Sequence, residues 1–342
     1  MLTRVDSEKR EYENLSPAAA KAAASRGRAR PEEKCAFRTD FQRDRDRIIH
    51  SKALRRLMDK TQVFIAPEGD HYRTRLTHTF EVSQISRSIA HGLTLNEDLT
   101  EAIALGHDLG HTPFGHNGEQ YLNARHKGGF KHNEQSLRVV DVLERHGPGH
   151  GMNLTDEVRD GILGHTGSHM PYTLEGRIVR ISDRIAYINH DIDDAMRAGI
   201  ISEGDLPESC IDVLGNSTST RINTLVTDMI VTSDGLLAGG SGGDPDIRMS
   251  DEKWKAMDDL RTFMFENVYL NPMVKKSAEL KKINNLINAL YDHFLQRPDD
   301  LTPEYQGMIQ EYGIEEMVKD QIAGMTDRYA IETYERFFIP GN

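Results

Sequence analysis

"ALGHDLGHTPFGHNGE", residues 104–119, packs three histidines, an aspartate and a glutamate among Gly, Pro, Leu and Phe. Just upstream, Leu99 and Ile103 lead into His107 at i, i+4, i+8, so His107 rides the apolar stripe of a helix. Gly110 and Pro113 must break that helix just past the His107-Asp108 pair. An imidazole and a carboxylate buried there cost several kcal/mol unless they are paired or bind a metal.

Two further segments supply partners. From His78 to Ala90, Val82, Ile85 and Ile89 follow His78 at helical spacing, which puts His78 on a buried face. In "RIVRISDRIAYINHDIDDAM" (177–196), Ile181, Ile185, Ile188 and Ile192 form an apolar stripe, with Asp183, Tyr187, Asp191 and Asp194 beside it. His78, His107, Asp108 and Asp183 together make a mixed imidazole and carboxylate shell. Such donors suit Mn²⁺, Fe²⁺, Co²⁺, Ni²⁺ or Zn²⁺, and two carboxylates admit Mg²⁺. Cys35 and Cys210 are the only cysteines, far apart and outside any CxxC spacing, so a disulfide framework and a thiolate zinc site are both unexpected.

Helical signals dominate the rest, and alternating strand patterns are scarce. Residues 17–25 (PAAAKAAAS) are rich in helix-forming Ala, and Ile48, Ile49, Leu54 and Leu57 sit in a charged, helix-compatible segment. "QVFIAPEGD" (62–70) reads as extended or turn-like, and the Gly-rich 235–250 as an exposed loop. Beyond it, Trp254, Met257, Leu260, Met264, Phe265 and Val268 restart a helical period, and "KINNLINALYDHFLQRP" (282–298) is another amphipathic helix. The expected architecture is all-α: one helical domain over 31–342 whose residues 251–342 form a C-terminal layer. Residues 1–30 are expected as a flexible basic arm.

Of the 342 residues 37% are hydrophobic and 28% charged, as in an ordinary globular chain, and the net charge is −12. Residues 1–56 carry 15 Lys and Arg against nine Asp and Glu. That segment is therefore basic on a strongly acidic body, a balance that argues against a dedicated nucleic-acid binder. No apolar run approaches a membrane span and the N-terminus lacks a signal peptide's apolar stretch, so we expect a cytoplasmic protein without membrane contact.

The longer blocks "RTDFQRDRDRIIHSKALRRLMDKTQVF" (38–64), "RTRLTHTFEVSQISRSIA" (73–90), residues 104–119, "RISDRIAYINHDIDDA" (180–195) and "GMTDRYA" (324–330) resemble the HD-domain deoxyguanosinetriphosphate triphosphohydrolase-like family. The resemblance implies an HD-type helical core and hydrolysis of a deoxynucleoside triphosphate to deoxynucleoside and inorganic triphosphate. That reaction needs a metal at the α-phosphate, a group that orients or deprotonates water, and an acid for the 5′ oxygen.

Outside the metal shell, His111, His116 and Glu119 remain. The i, i+3 spacing of His116 and Glu119 allows an imidazole-carboxylate dyad, with His116 moving the proton, as acid or as base, and Glu119 orienting it. By the same resemblance His111 and His132 lie near the phosphates, Arg75 and more weakly Arg184 clamp them, Tyr187 and Asp191 meet the sugar, and Gln62 contacts the deoxyribose 3′-hydroxyl. The family also implies a homo-oligomer, often a hexamer, and admits a nucleotide or single-stranded DNA effector. Two other readings share the shell: another HD phosphohydrolase, acting on a nucleoside monophosphate, a cyclic nucleotide or ppGpp, and a nucleotide-sensing binding protein. The "TPFGHNGE" extension favours the triphosphohydrolase.

Overall fold

The first long helix to bear on the site starts at Arg75, where Thr74 accepts a hydrogen bond from the backbone of Thr77 and Thr77 returns one, a reciprocal cap. In the computed structural model, which describes residues 1–62, 73–146, 149–237, 244–271 and 277–340, helices dominate. In chain order they are α1 (Arg4–Asn14), α2 (Asp40–Ile49), α3 (Lys52–Arg56), α4 (Arg75–Gly92), α5 (Glu97–Gly106), α6 (Gly115–Arg125), α7 (His132–Arg138), α8 (Asp156–Gly164) and α9 (Leu174–Arg197). They continue with α10 (Glu208–Leu214), α11 (Thr218–Leu237), α12 (Asp251–Met264), α13 (Ser277–Gln296), α14 (Pro303–Gln306), α15 (Ile309–Tyr312), α16 (Ile314–Ala323) and α17 (Asp327–Phe338). The fold is all-α; the one described sheet is a two-stranded ribbon of Arg145–His146 and Gly149–His150. Among the described residues no helix is long and apolar enough to cross a membrane.

α5 is the axle. Leu99, Ala102, Ile103, Ala104 and Leu105 are buried, and the helix packs against α2, α4, α8 and α9. Its approach to α8 is close on both sides: a Cβ on Gly106 would meet Ile162, and one on Gly161 would meet Ile103. The C-terminal helices cover the opposite flanks, α12 on α9 and α10, and α13 on α6, α16 and α17. One apolar core cluster includes residues from Ala19 to Ala330.

Several expectations change. Residues 1–30 are folded onto the body rather than forming a flexible arm. The Arg28 side chain is buried, with Asp44 and Glu32 as ion-pair partners, and donates to the carbonyl of Asn153 at 2.6 Å. The Ala-rich 17–25 stretch contains only a 3₁₀ turn, at Ala22–Ala24. Its amides are diverted to carboxylates, Ala20 to Glu175 at 3.0 Å and Ala22 to Glu11 at 2.7 Å, so tertiary bonds override helix propensity. In the charged helical segment Ile48, Leu54 and Leu57 are buried, whereas Ile49 is exposed.

Of the loop expected at 235–250, residues 238–243 lie outside the described residues. The flanking parts are not simply exposed, since residues up to Leu237 complete α11 and Ile247 and Met249 are buried. The extended reading of 62–70 lies, beyond Gln62, outside the described residues.

The break after α5 is strapped in place. The Gly110 amide donates to Ser136 Oγ at 2.9 Å, and that hydroxyl donates to the His107 carbonyl at 2.7 Å. A Cβ on Gly110 would stand 2.2 Å from the Ser136 nitrogen. Backbone cannot yield as a flexible side chain does. Gly110→Ala should therefore lower the unfolding free energy by about 1–3 kcal/mol, read as a reduced urea midpoint.

Candidate metal centre and histidine cluster

His107 follows the last turn of α5 with its ring fixed from behind: Nδ1–H donates to the Ala104 carbonyl at 2.6 Å. That leaves Nε2 as the free lone pair, buried and without a hydrogen-bond partner. It lies 3.8 Å from Asp108 Oδ2 and 3.8 Å from Asp183 Oδ1. His78, from α4, brings Nε2 to 3.1 Å from the same Asp183 oxygen. Donors about 2.1 Å from one ion stand roughly 3.0–3.4 Å apart at cis or tetrahedral angles and wider otherwise. His78, His107 and Asp183 thus make a group that could hold a divalent metal, with Asp108 at its edge.

Charges around the centre are mutually set. Burial works against the Asp108 carboxylate, but Arg75, whose Nη1 donates to Oδ2 at 2.7 Å, and the surrounding histidines hold it well below the usual range. Asp183 is also held down against burial by the His78 hydrogen bond and by His107. His78 is raised in turn, its contact with Asp183 outweighing desolvation.

A second group adjoins the first. α6 is capped by Phe114 and starts at Gly115, both with left-handed backbone (φ 60° and 59°). Asp327, at the start of α17, fixes that turn: it accepts from the Phe114 amide at 2.9 Å and from the Thr61 hydroxyl at 2.7 Å. α6 then presents His116, whose Nδ1 lies 3.1 Å from Glu119 Oε2. Glu119 also receives the His132 ring nitrogen and backbone amide, both at 2.9 Å. Burial raises Glu119, but the bonds from His116 and His132 outweigh it and keep it ionised. His111 is fully buried, stacked on His132 at 4.8 Å, and desolvation holds it neutral. The rings of His190, His78, His107, His165, His132, His111 and His116 form a continuous chain with centroid spacings of 4.8–6.2 Å.

The remaining site residues divide. Gln62 joins the centre: its carbonyl lies 3.4 Å from Arg75 Nη2, and its buried Oε1 has no hydrogen-bond partner. Asp191 is buried and accepts from the Tyr269 hydroxyl, and burial pushes its carboxyl up to about 7. Tyr187, one turn earlier on α9, is raised to about 12 by desolvation and by nearby Asp183. Arg184 is turned elsewhere, over the Trp254 ring at 5.4 Å.

Sequence reasoning missed His165 and Tyr269. "ILGHT" (162–166) echoes "ALGHD" (104–108), and that echo was the available signal for His165. Tyr269 sits in a π-helical turn, Phe265–Tyr269, that no spacing rule marks.

Residues 75–188 match the HD domain model and residues 247–336 the phosphohydrolase-associated domain model. A deoxyguanosinetriphosphate triphosphohydrolase-like protein of Caldanaerobacter subterraneus subsp. tengcongensis is 56% identical over 99% of this chain and 97% of that one. This chain belongs to the deoxyguanosinetriphosphate triphosphohydrolase-like family. Family members from Desulfatibacillum aliphaticivorans, 46% identical over 99% of each chain, and Clostridium perfringens, 49% identical over 92% of this chain and 91% of that one, are similar throughout. This member of the family is an HD-domain phosphohydrolase, and its HD match begins at Arg75 and ends just past Asp183, spanning both histidine groups.

Asp108→Ala would strand Arg75 as a buried unpaired cation, a change of roughly 3–5 kcal/mol, and remove a donor from the metal group. We expect a lower denaturation midpoint and loss of bound metal with native helix content in the folded fraction. Elemental analysis after gel filtration, beside circular dichroism, reads both; metal retained at the wild-type ratio would rule Asp108 out as a ligand.

Proposed function

We propose that the protein hydrolyses deoxynucleoside triphosphates, dGTP among them, to deoxynucleoside and inorganic triphosphate. The observation that carries this reading is the junction of two groups: a buried metal-holding set of His78, His107, Asp108 and Asp183, and beside it the His116–Glu119 pair, whose His116 ring is open to solvent. The name borne by relatives up to 56% identical supports the same reaction.

A divalent ion (Mn²⁺, Mg²⁺, Fe²⁺, Co²⁺, Ni²⁺ or Zn²⁺) held by that set would polarise the α-phosphate and favour hydroxide. Because Glu119 accepts only, His116 donates from Nδ1, and its Nε2 is the atom that takes or gives the proton. Glu119 fixes that tautomer and stabilises the imidazolium when it forms. His111, uncharged and at the shared face, and His132, held by Glu119, line the phosphate side. Arg75 supplies fixed positive charge there while positioning Asp108. Gln62, Tyr187 and Asp191 frame the sugar, with Asp191 held by Tyr269. Arg184, over Trp254, acts only at the margin of the phosphates. The proposal includes a cytoplasmic homo-oligomer, a hexamer by family analogy, and a nucleotide or single-stranded DNA effector.

His116→Ala should reduce kcat by roughly 10²-fold or more, as loss of general acid-base catalysis does, while metal and nucleotide still bind. Unchanged kcat would remove His116 from proton transfer.

Bond cleavage is the deciding measurement. Each dNTP is incubated with metal in ¹⁸O-labelled water, and the products are separated chromatographically. Equal amounts of nucleoside and triphosphate are expected, with label in the triphosphate. A dNMP product, or label in the nucleoside, would refute the assignment and favour another HD phosphohydrolase reaction.

A further inference from the structure

His111 is buried at the shared face of the two groups, yet neither nitrogen of its ring has a hydrogen-bond partner. Its neighbours differ: His107, His132 and His165 are each aimed by a bond at Nδ1, and His78 by one at Nε2. The direction of the His111 ring therefore follows from its backbone and from stacking on His132.

A buried lysine holds that backbone. Lys60 Nζ donates to the His111 carbonyl and, at 2.8 Å, to the carbonyl of Ala323. Ala323 ends α16, where the last carbonyls lack helical partners and the negative end of the helix dipole suits a cation. α16 is a firm anchor, since Met317, Val318 and Ile322 are buried and Asp320 accepts from Gln135 and Arg138, both at 2.8 Å. The Lys60 carbonyl in turn accepts from the Arg75 amide at 3.0 Å. One residue thus joins the start of α4, the break after α5 and the end of α16.

Withdrawing an ammonium from water is costly, and burial pulls the Lys60 amine down to about 7. An uncharged amine still carries two N–H groups, one for each carbonyl, so the tie does not depend on the charge. Without it the His111 and Ala323 carbonyls would be left buried and unpaired. The turn around His111 would shift to relieve them, and the ring would move with it.

We propose that Lys60 is a positioning residue, which aims the unbonded His111 ring at the substrate phosphates by holding the His111 carbonyl against the end of α16. The proposal rests on the phosphate-side role given to His111 above. A lysine that merely stabilised the fold would act independently of the His111 ring, and a double-mutant cycle separates the two cases.

Full-length wild type, Lys60→Met, His111→Ala and the double variant are compared by kcat and KM for dGTP with Mn²⁺, or for another nucleotide if the wild-type enzyme hydrolyses that one instead. The outcome is thereby separate from the assignment of substrate and cleaved bond. Elemental analysis and urea midpoints accompany each variant. Lys60→Met keeps most of the stem and loses both bonds, so kcat/KM should fall roughly 10–10²-fold with metal content unchanged. In the His111→Ala background the same change should alter kcat/KM by less than about twofold, since no ring remains to be aimed. Lys60→Gln, which retains a pair of N–H donors one atom short, should fall between wild type and Lys60→Met, and it carries the same cycle if Lys60→Met folds poorly. Losses that multiply in the double variant, unchanged kcat/KM in the Lys60 variants, or a fully active His111→Ala would overturn the proposal.

Discussion

Asp108 is a carboxylate withdrawn from water at the end of an apolar helix, and its pairing with Arg75 conditions everything around it. An unpaired ion in such a place costs several kcal/mol even after the protein relaxes. Arg75, the first residue of α4, meets Asp108 just past the last turn of α5, so one ion pair fixes the offset between these two helices. That offset brings His78 towards His107, and α9 completes the group with Asp183. The pair also keeps Asp108 ionised and so available to a cation.

The histidines are an economical answer to the same burial problem. A neutral imidazole carries one donor and one acceptor, and it enters a dry interior far more cheaply than a carboxylate or ammonium does. In this cluster the donors are taken by backbone carbonyls at His107 and His165 and by Glu119 at His132 and His116. At His107, His132 and His165 the acceptors are thereby left facing the cluster, while the His116 ring is open to solvent. A row of oriented lone pairs is suited to binding cations and moving protons.

Much of this was legible in the chain. Periodicity placed Leu99, Ile103 and His107 on a buried face and marked α9 as a helix with separate apolar and polar stripes, because both patterns follow from helix geometry alone. The His116–Glu119 contact followed from i, i+3 spacing. His165 escaped because its partner His132 is 33 residues away, and only the crossing of α5 and α8 makes the two LGH turns equivalent. Arg184 sits beside Asp183 in sequence yet points to Trp254, since neighbours on a helix face different directions. Residues 1–30 misled through composition. Their positive charge is spent partly on internal pairs such as Arg28 with Asp44, which a count of Lys and Arg cannot distinguish from a free basic surface.

Asp327 carries a consequence for the order in which the molecule is made. All four residues of the metal-holding set are in the chain once Asp183 has been added, and α4, α5 and α9 can begin to associate when that stretch emerges from the ribosome. The turn at Phe114 that aims α6 has its hydrogen-bond acceptor only after Asp327 emerges, more than a hundred residues later. Through that interval Glu119 and His116 sit on a helix whose start lacks its anchor. The growing chain thus acquires its metal donors early and the fixed direction of its proton-carrying helix near the end of synthesis.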